Sequence, residues 1–219
     1  MTKDDKITVI NKVGALLPNA DQNIGILQSL LKGISIDRNF GEALIHSNML
    51  GRGSRMLLFV IMLYESLNLK TDWVTAFHLL KEAYIMTDNI YAQLQMSQYP
   101  FDLSDYLIEM KKHVNTEELM HPEELEYLKG LHFPLTAYRG MCNKEFENGR
   151  FGVSWSDNIE TAKRYVFYSK NNNSDTEGKV VSYKINKSDI FAAWGVMGKE
   201  KELIVPGLLK PKGYGKQEC

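Results

Sequence analysis

The hydrophobic pattern of this chain changes period near residue 131, and that change limits the fold more than any other feature. Before it, apolar residues recur every three to four positions, the spacing of one helix face. In "TDWVTAFHLLKEAY", Trp73, Phe77, Leu80 and Tyr84 share one stripe, with Thr71 or Asp72 available as an N-cap. "GSRMLLFVIMLYESL" is apolar nearly all round, as suits a helix inside a bundle. "DQNIGILQSLLKGI" and "HPEELEYLKGL" predict further helices, the second opened by Pro122 and closed near Gly130. His46, His78 and His113 fall within helical segments, where partly buried packing is the expected role.

After residue 131 the segments shorten and alternate. "FPLTAYRG" and "GRFGVSWS" are β-like runs, and "KVVSYKI" predicts a strand with Val181, Tyr183 and Ile185 on one face. Between them, "SDNIETAKRYVF" has helical spacing, with Ser156 or Asp157 and then Glu160 forming a capping box. "SKNNNSDTEG" at 169–178 is a polar loop, and "GKEKELIVPG" leads into a last strand. The expected fold is therefore α+β, with a helical N-terminal part at 1–130 packed on a mixed sheet core at 131–219. No repeat or low-complexity linker separates the two parts, so one compact unit is expected.

Charge divides along the same line. Residues 1–130 carry 12 Lys and Arg against 17 Asp and Glu, a net of −5; residues 131–219 carry 14 against 10, a net of +4. A basic excess that small permits an anionic ligand without requiring nucleic acid. Two cysteines, Cys142 and Cys219, make neither a disulfide framework nor a cysteine-based zinc site, and the five histidines lack ligand spacing, so no metal is expected. The charged start "MTKDDKITVI" is unlike a signal peptide, and the apolar run at 56–63 is too short to span a bilayer. Cytoplasmic residence without membrane association is the expectation. "GRGSR" at 51–55 lacks the lysine and spacing of a phosphate loop and reads as a helix start.

Three polar groups stand at the ends of three β-like segments: Arg139 in "YRG", Ser154 and Ser156 in "SWS", and Glu200 with Glu202 in "EKE". An arginine fork suits phosphate oxygens, and a serine hydroxyl both donates and accepts. A carboxylate can grip ribose hydroxyls and stabilise a cationic sugar. In a strand Glu200, Glu202 and Ile204 share one face, with Lys201 on the other as a structural residue. An isolated pair of this kind also fits a solvated strand entrance.

In order and spacing, Tyr138-Arg139-Gly140, Ser154-Trp155-Ser156 and Glu200-Lys201-Glu202 resemble the arginine–serine–glutamate, cholera-toxin-like branch of the ADP-ribosyltransferase superfamily. The likeness covers about residues 133–208, and includes "TAKRYV" as the helix after the triplet and "GKVVSYKINKSDIFAA" before the target loop. Trp155 stands where the family usually has threonine; small bacterial and phage-borne members carry a similar G-x-S-W-[ST] form.

The resemblance implies a two-sheet core that binds NAD as substrate, without metal. Tyr138, Arg139, Gly140, Ser154, Trp155 and Ser156 would form the NAD site. Ser154 would orient Glu202, Glu202 would stabilise the oxocarbenium ion, and Glu200 would face the acceptor. Trp194 and Met197 lie in the target-loop region, where acceptor contact and packing are both open. Cys142 is expected to be an incidental thiol.

The activity implied is that of a mono-ADP-ribosyltransferase acting on a protein side chain or on RNA or DNA, of bacterial or phage toxin or defence type, with an antitoxin as a possible partner. E-x-E leans towards guanidinium acceptors, and the tail "KPKGYGK" permits nucleic acid. The competing readings are an NAD glycohydrolase using the same site, and a non-catalytic helical interaction module.

Overall fold

The structure is a computed structural model that describes residues 56, 59, 60, 63, 73–85, 87, 90, 100–172, 178–195 and 201–208. The chain divides into two compact units, Met1–Phe101 and Asp102–Cys219. The sequence segments at 21–34, 51–55, His46, Glu200, Met197, Cys219 and the basic tail lie outside the described residues.

In the first unit, helix α1 (Trp73–Ile85) buries Ala76, Phe77, Leu79, Leu80, Ala83 and Tyr84, so Phe77, Leu80 and Tyr84 of the predicted stripe are buried. Trp73 is only half-buried. The Thr87 hydroxyl accepts from the Met56 N–H at 3.1 Å and donates to the Ala83 carbonyl, closing the helix end against the buried Met56, Phe59 and Val60.

The second unit opens with helices α2 (Leu103–Met110), α3 (Thr116–Leu119) and α4 (Pro122–Gly130). Each starts on a side-chain cap: Asp102 accepts from the Asp105 N–H, Asn115 from the Glu117 N–H, and His121 from the Glu123 N–H. Glu124 returns the bond to the His121 N–H at 2.9 Å and is itself 3% exposed, so the first turn of α4 is closed in both directions. His113 follows α2 in an exposed turn with its Nε2 3.2 Å from Glu109 Oε1, so it is a surface residue and not the packing residue expected.

Strand β1 (Leu135–Cys142) pairs antiparallel with β3 (Gly178–Ile185), Arg139 opposite Val181. A second sheet has the order β2 (Ser154–Trp155), β5 (Glu202–Ile204), β4 (Ala192–Trp194), antiparallel throughout. Helices α5 (Asn143–Asn148) and α6 (Ile159–Asn172) fill the connections on either side of β2. Two small antiparallel sheets carrying helices make this an α+β fold.

Two predicted boundaries shift. Asn158 caps α6, accepting from Glu160 N at 2.8 Å and Thr161 N at 3.3 Å. Ser156 lies two residues short of the cap position, and its Oγ accepts from the Asn158 N–H at 3.1 Å instead. The same helix runs on to Asn172, four residues into the stretch that reads as a loop.

Between the sheets lies an aromatic cluster. Trp155 meets Tyr183 edge-on at 5.5 Å, and Phe151 meets both at 6.4 Å while stacking on Phe146 at 6.2 Å. Offset and edge-on contacts of this kind add to the burial of large rings. Leu203, Ala193 and Val181 complete the buried layer.

Candidate active site

Alternation along β1 gives the Tyr-Arg-Gly motif two faces, with Tyr138 and Gly140 on one and Arg139 on the other. Tyr138 exchanges both backbone hydrogen bonds with Ser156, at 2.7 and 2.9 Å. That single bridge joins the first motif to the second and connects the two sheets.

Arg139 turns away from the bridge. Its Nη1 donates to the Ser154 carbonyl at 2.7 Å, while Nε and Nη2 reach Glu145 Oε1 at 2.8 and 2.7 Å. The same Oε1 accepts from the Gly152 N–H at 2.7 Å. Both side chains are only 16% exposed, so this is a largely buried, charge-assisted pair that ties β1, α5 and β2 together. A side chain at Gly152 would put its Cβ 2.3 Å from Arg139 Nη2, so glycine is what lets the guanidinium lie there.

The third motif is placed by strand register. Ser154 stands opposite Ile204 and Trp155 opposite Leu203, and Val205 N donates to the Val153 carbonyl at 2.8 Å in the same register. Continued one residue the other way, it sets Ser156 across from Glu202. The resemblance gives Ser154 the task of orienting Glu202. The pairing gives the directly facing position to Ser156, with Ser154 a diagonal neighbour on the same face at roughly 7–8 Å. Ser156 is 4% exposed, and its Oγ accepts from the Asn158 N–H at 3.1 Å.

On its other flank Glu202 pairs with Trp194 of β4. From α6 the Tyr165 hydroxyl donates to Glu202 Oε1 at 2.7 Å. The carboxylate, on the central strand of its sheet, is therefore held by a phenol donor. Beside this, Asp157 and Lys201 meet α4: Lys201 Nζ lies 4.9 Å from the centre of the Tyr127 ring. Burial, and next the charge of Asp157, push the Tyr127 phenol well above its usual range.

Other expected residues take plainer places. Trp155, read as a cofactor contact, is 1% exposed and packs in the aromatic cluster, so it supports the site from behind. Trp194 is likewise buried and meets Phe191 edge-on at 6.0 Å; of its two readings, packing is the one observed. Cys142 is buried at the end of β1. Glu200 lies outside the described residues.

Sequence reasoning missed Glu145, Gly152 and Tyr165. Tyr165 carried a signal, since a tyrosine on a helix stripe brings a polar tip that wants a partner. Glu145, six residues after Arg139 on a short helix, carried none.

Comparison with protein-family models, with curated proteins and with solved structures finds no match. Among the described residues no group of three or more His, Cys, Asp or Glu is gathered to hold a metal, and no helix is long and apolar enough to cross a membrane. In chemical terms the structure offers two serines and a hydrogen-bonded carboxylate on one face, the face Tyr138 shares through its bridge to Ser156, and an anchored guanidinium on the opposite face. These are groups for holding phosphates and sugar hydroxyls and for balancing a developing positive charge.

Proposed function

We propose that this chain is an NAD-dependent mono-ADP-ribosyltransferase whose core is formed by the two small sheets. The observation that carries the reading is the hydrogen-bonded linkage of three motifs. The Arg139 fork is bonded to the Ser154 carbonyl, Tyr138 is bridged to Ser156, and β2 pairs with β5, the strand that opens on Glu202.

In this reading Arg139 meets the NAD phosphates or the nicotinamide-side ribose. An incoming phosphate joins or displaces Glu145 in the guanidinium's plane. Ser154 and Ser156 bond sugar hydroxyls, and Glu202 grips the ribose. The bond between ribose C1′ and the nicotinamide nitrogen breaks, its electron pair going to the ring and neutralising the pyridinium. Glu202 balances the oxocarbenium charge left behind; one preorganised group of this kind is worth roughly 3–4 kcal/mol. The acceptor's lone pair then attacks C1′, and Glu200 orients it and takes its proton. A guanidinium nitrogen on a protein is the acceptor that E-x-E favours, with a nucleic-acid base as the other class. Modification of host macromolecules fits a toxin or defence enzyme held in check by an antitoxin.

The test is incubation of the full chain with NAD labelled in the ADP-ribose half, alone and with separate pools of protein, RNA and DNA. Nicotinamide release with label in one pool is the expected result. Release without transfer makes the chain a glycohydrolase, and no release at millimolar NAD removes the enzymatic reading altogether.

A further inference from the structure

We propose that Tyr165 is a positioning residue for Glu202, an inference that rests on the transferase reading. The contact is direct, phenol to carboxylate oxygen at 2.7 Å, and it crosses from α6 to the central strand of the second sheet. Its precision depends on a residue of the first motif. At Gly140 a Cβ would lie 1.8 Å from the Ala162 carbonyl oxygen and 2.7 Å from the Val166 N. The backbone of α6 thus rests on the backbone of β1, and Tyr165 is held in the turn between those two contact points. Glycine at 140 sets how close the helix comes, and the helix sets where the phenol points.

A donor fixed in that way restrains the carboxylate's rotation about its last bonds and favours its ionised form. Both effects serve a group that must face a sugar cation as an anion in one orientation. Tyr165 touches neither ribose nor nicotinamide in this scheme. It acts through Glu202.

Tyr165→Phe removes only the oxygen. The expected result is a fall in kcat for nicotinamide release of roughly ten- to a hundredfold, with KM for NAD within about twofold. The second readout needs no turnover: carbon-13 NMR titration of the glutamate carboxyls in both proteins, with the Glu202 signal assigned by its loss in Glu202→Gln. The Glu202 carboxyl should titrate at higher pH in Tyr165→Phe than in wild type. An identical Glu202 titration in the two proteins overturns the inference, whether or not NAD is cleaved. A shifted titration in a wild-type chain that never releases nicotinamide overturns the transferase reading, and the catalytic role of Tyr165 falls with it.

Discussion

Replacing Glu145 by glutamine separates the architecture of this site from its chemistry. The carboxylate's Oε1 accepts three N–H groups, two from Arg139 and one from Gly152, all at 2.7–2.8 Å. Removing one partner of a fully buried ion pair costs about 3–5 kcal/mol, because a charge is left uncompensated. Here the two side chains keep 16% of their exposure, and the amide oxygen of glutamine still accepts one or two of the bonds. The expected loss is therefore about 2–3 kcal/mol. Urea denaturation of the full chain followed by tryptophan fluorescence measures it, since Trp155 and Trp194 both belong to this unit. Arg139→Lys keeps the charge but replaces the planar fork by one ammonium, which cannot serve Glu145 and the Ser154 carbonyl in the same geometry. A double-mutant cycle of the two changes should return a coupling of about 1–2 kcal/mol. Under the transferase reading both variants also weaken NAD binding, because the fork loses its aim. A loss below about 0.5 kcal/mol for Glu145→Gln, with no coupling, is the behaviour of a surface pair and refutes the buried-pair assignment.

Three other outcomes are expected. Gly140→Ala should cost about 3 kcal/mol or more, since its Cβ would lie 1.8 Å from a helix carbonyl and backbone must move; a midpoint within error of wild type in the same urea assay contradicts the packing described. Under the transferase reading, Glu202→Gln should lower nicotinamide release by about two to three powers of ten while leaving the fold intact, whereas Glu200→Gln should impair label transfer and spare part of the hydrolysis; equal effects on both assays would mean the glutamates do not divide the work. Burial, and then the charge of Lys81, hold the His78 pKa below its usual 6.5 in the folded chain. The unfolded chain therefore takes up the proton first as pH falls through that value, so stability drops with acidification. Between about pH 7.5 and about pH 5.5 the melting temperature of wild type should fall further than that of His78→Gln.

Much of the second unit was legible because its signals are local. The proline and the acidic first turn mark α4, and alternation marks β3. Helix α2 was legible too but went unread: Leu103, Tyr106, Leu107 and Met110, all buried, have helical spacing over only eight residues. Helix α5 offers a single buried residue, Phe146, and no period to detect. The site motifs were visible as polar groups in β-like runs, although β1 runs on to Cys142 and leaves Arg139 inside the strand, and their partners were not visible. Which serine faces Glu202 is a matter of register, and register is set by the pairing of distant strands. The tie between Arg139 and Glu145 needs α5 to turn back against β1, which no local pattern announces. Tyr165 stands within the helical spacing of "SDNIETAKRYVF", and such spacing records which face is buried and not what the phenol tip meets.

The three residues of the first motif do three different jobs, and the strand's alternation assigns them. Tyr138 spends its backbone on Ser156 and so fixes the second sheet against the first. Arg139, on the opposite face, spends its fork on Glu145 and on the Ser154 carbonyl, so its charge is anchored at the strand that carries the serines. Gly140 contributes by absence, letting α6 approach until Tyr165 reaches Glu202. A change at Gly140 would therefore reach Glu202 through the helix without touching it, and a change at Glu145 would reach the serine strand through Arg139. Carboxylate and guanidinium are each held by a residue outside the three-motif pattern. A site built this way depends on its supports as much as on its motifs, because a carboxylate or a guanidinium acts electrostatically only where it is held in place.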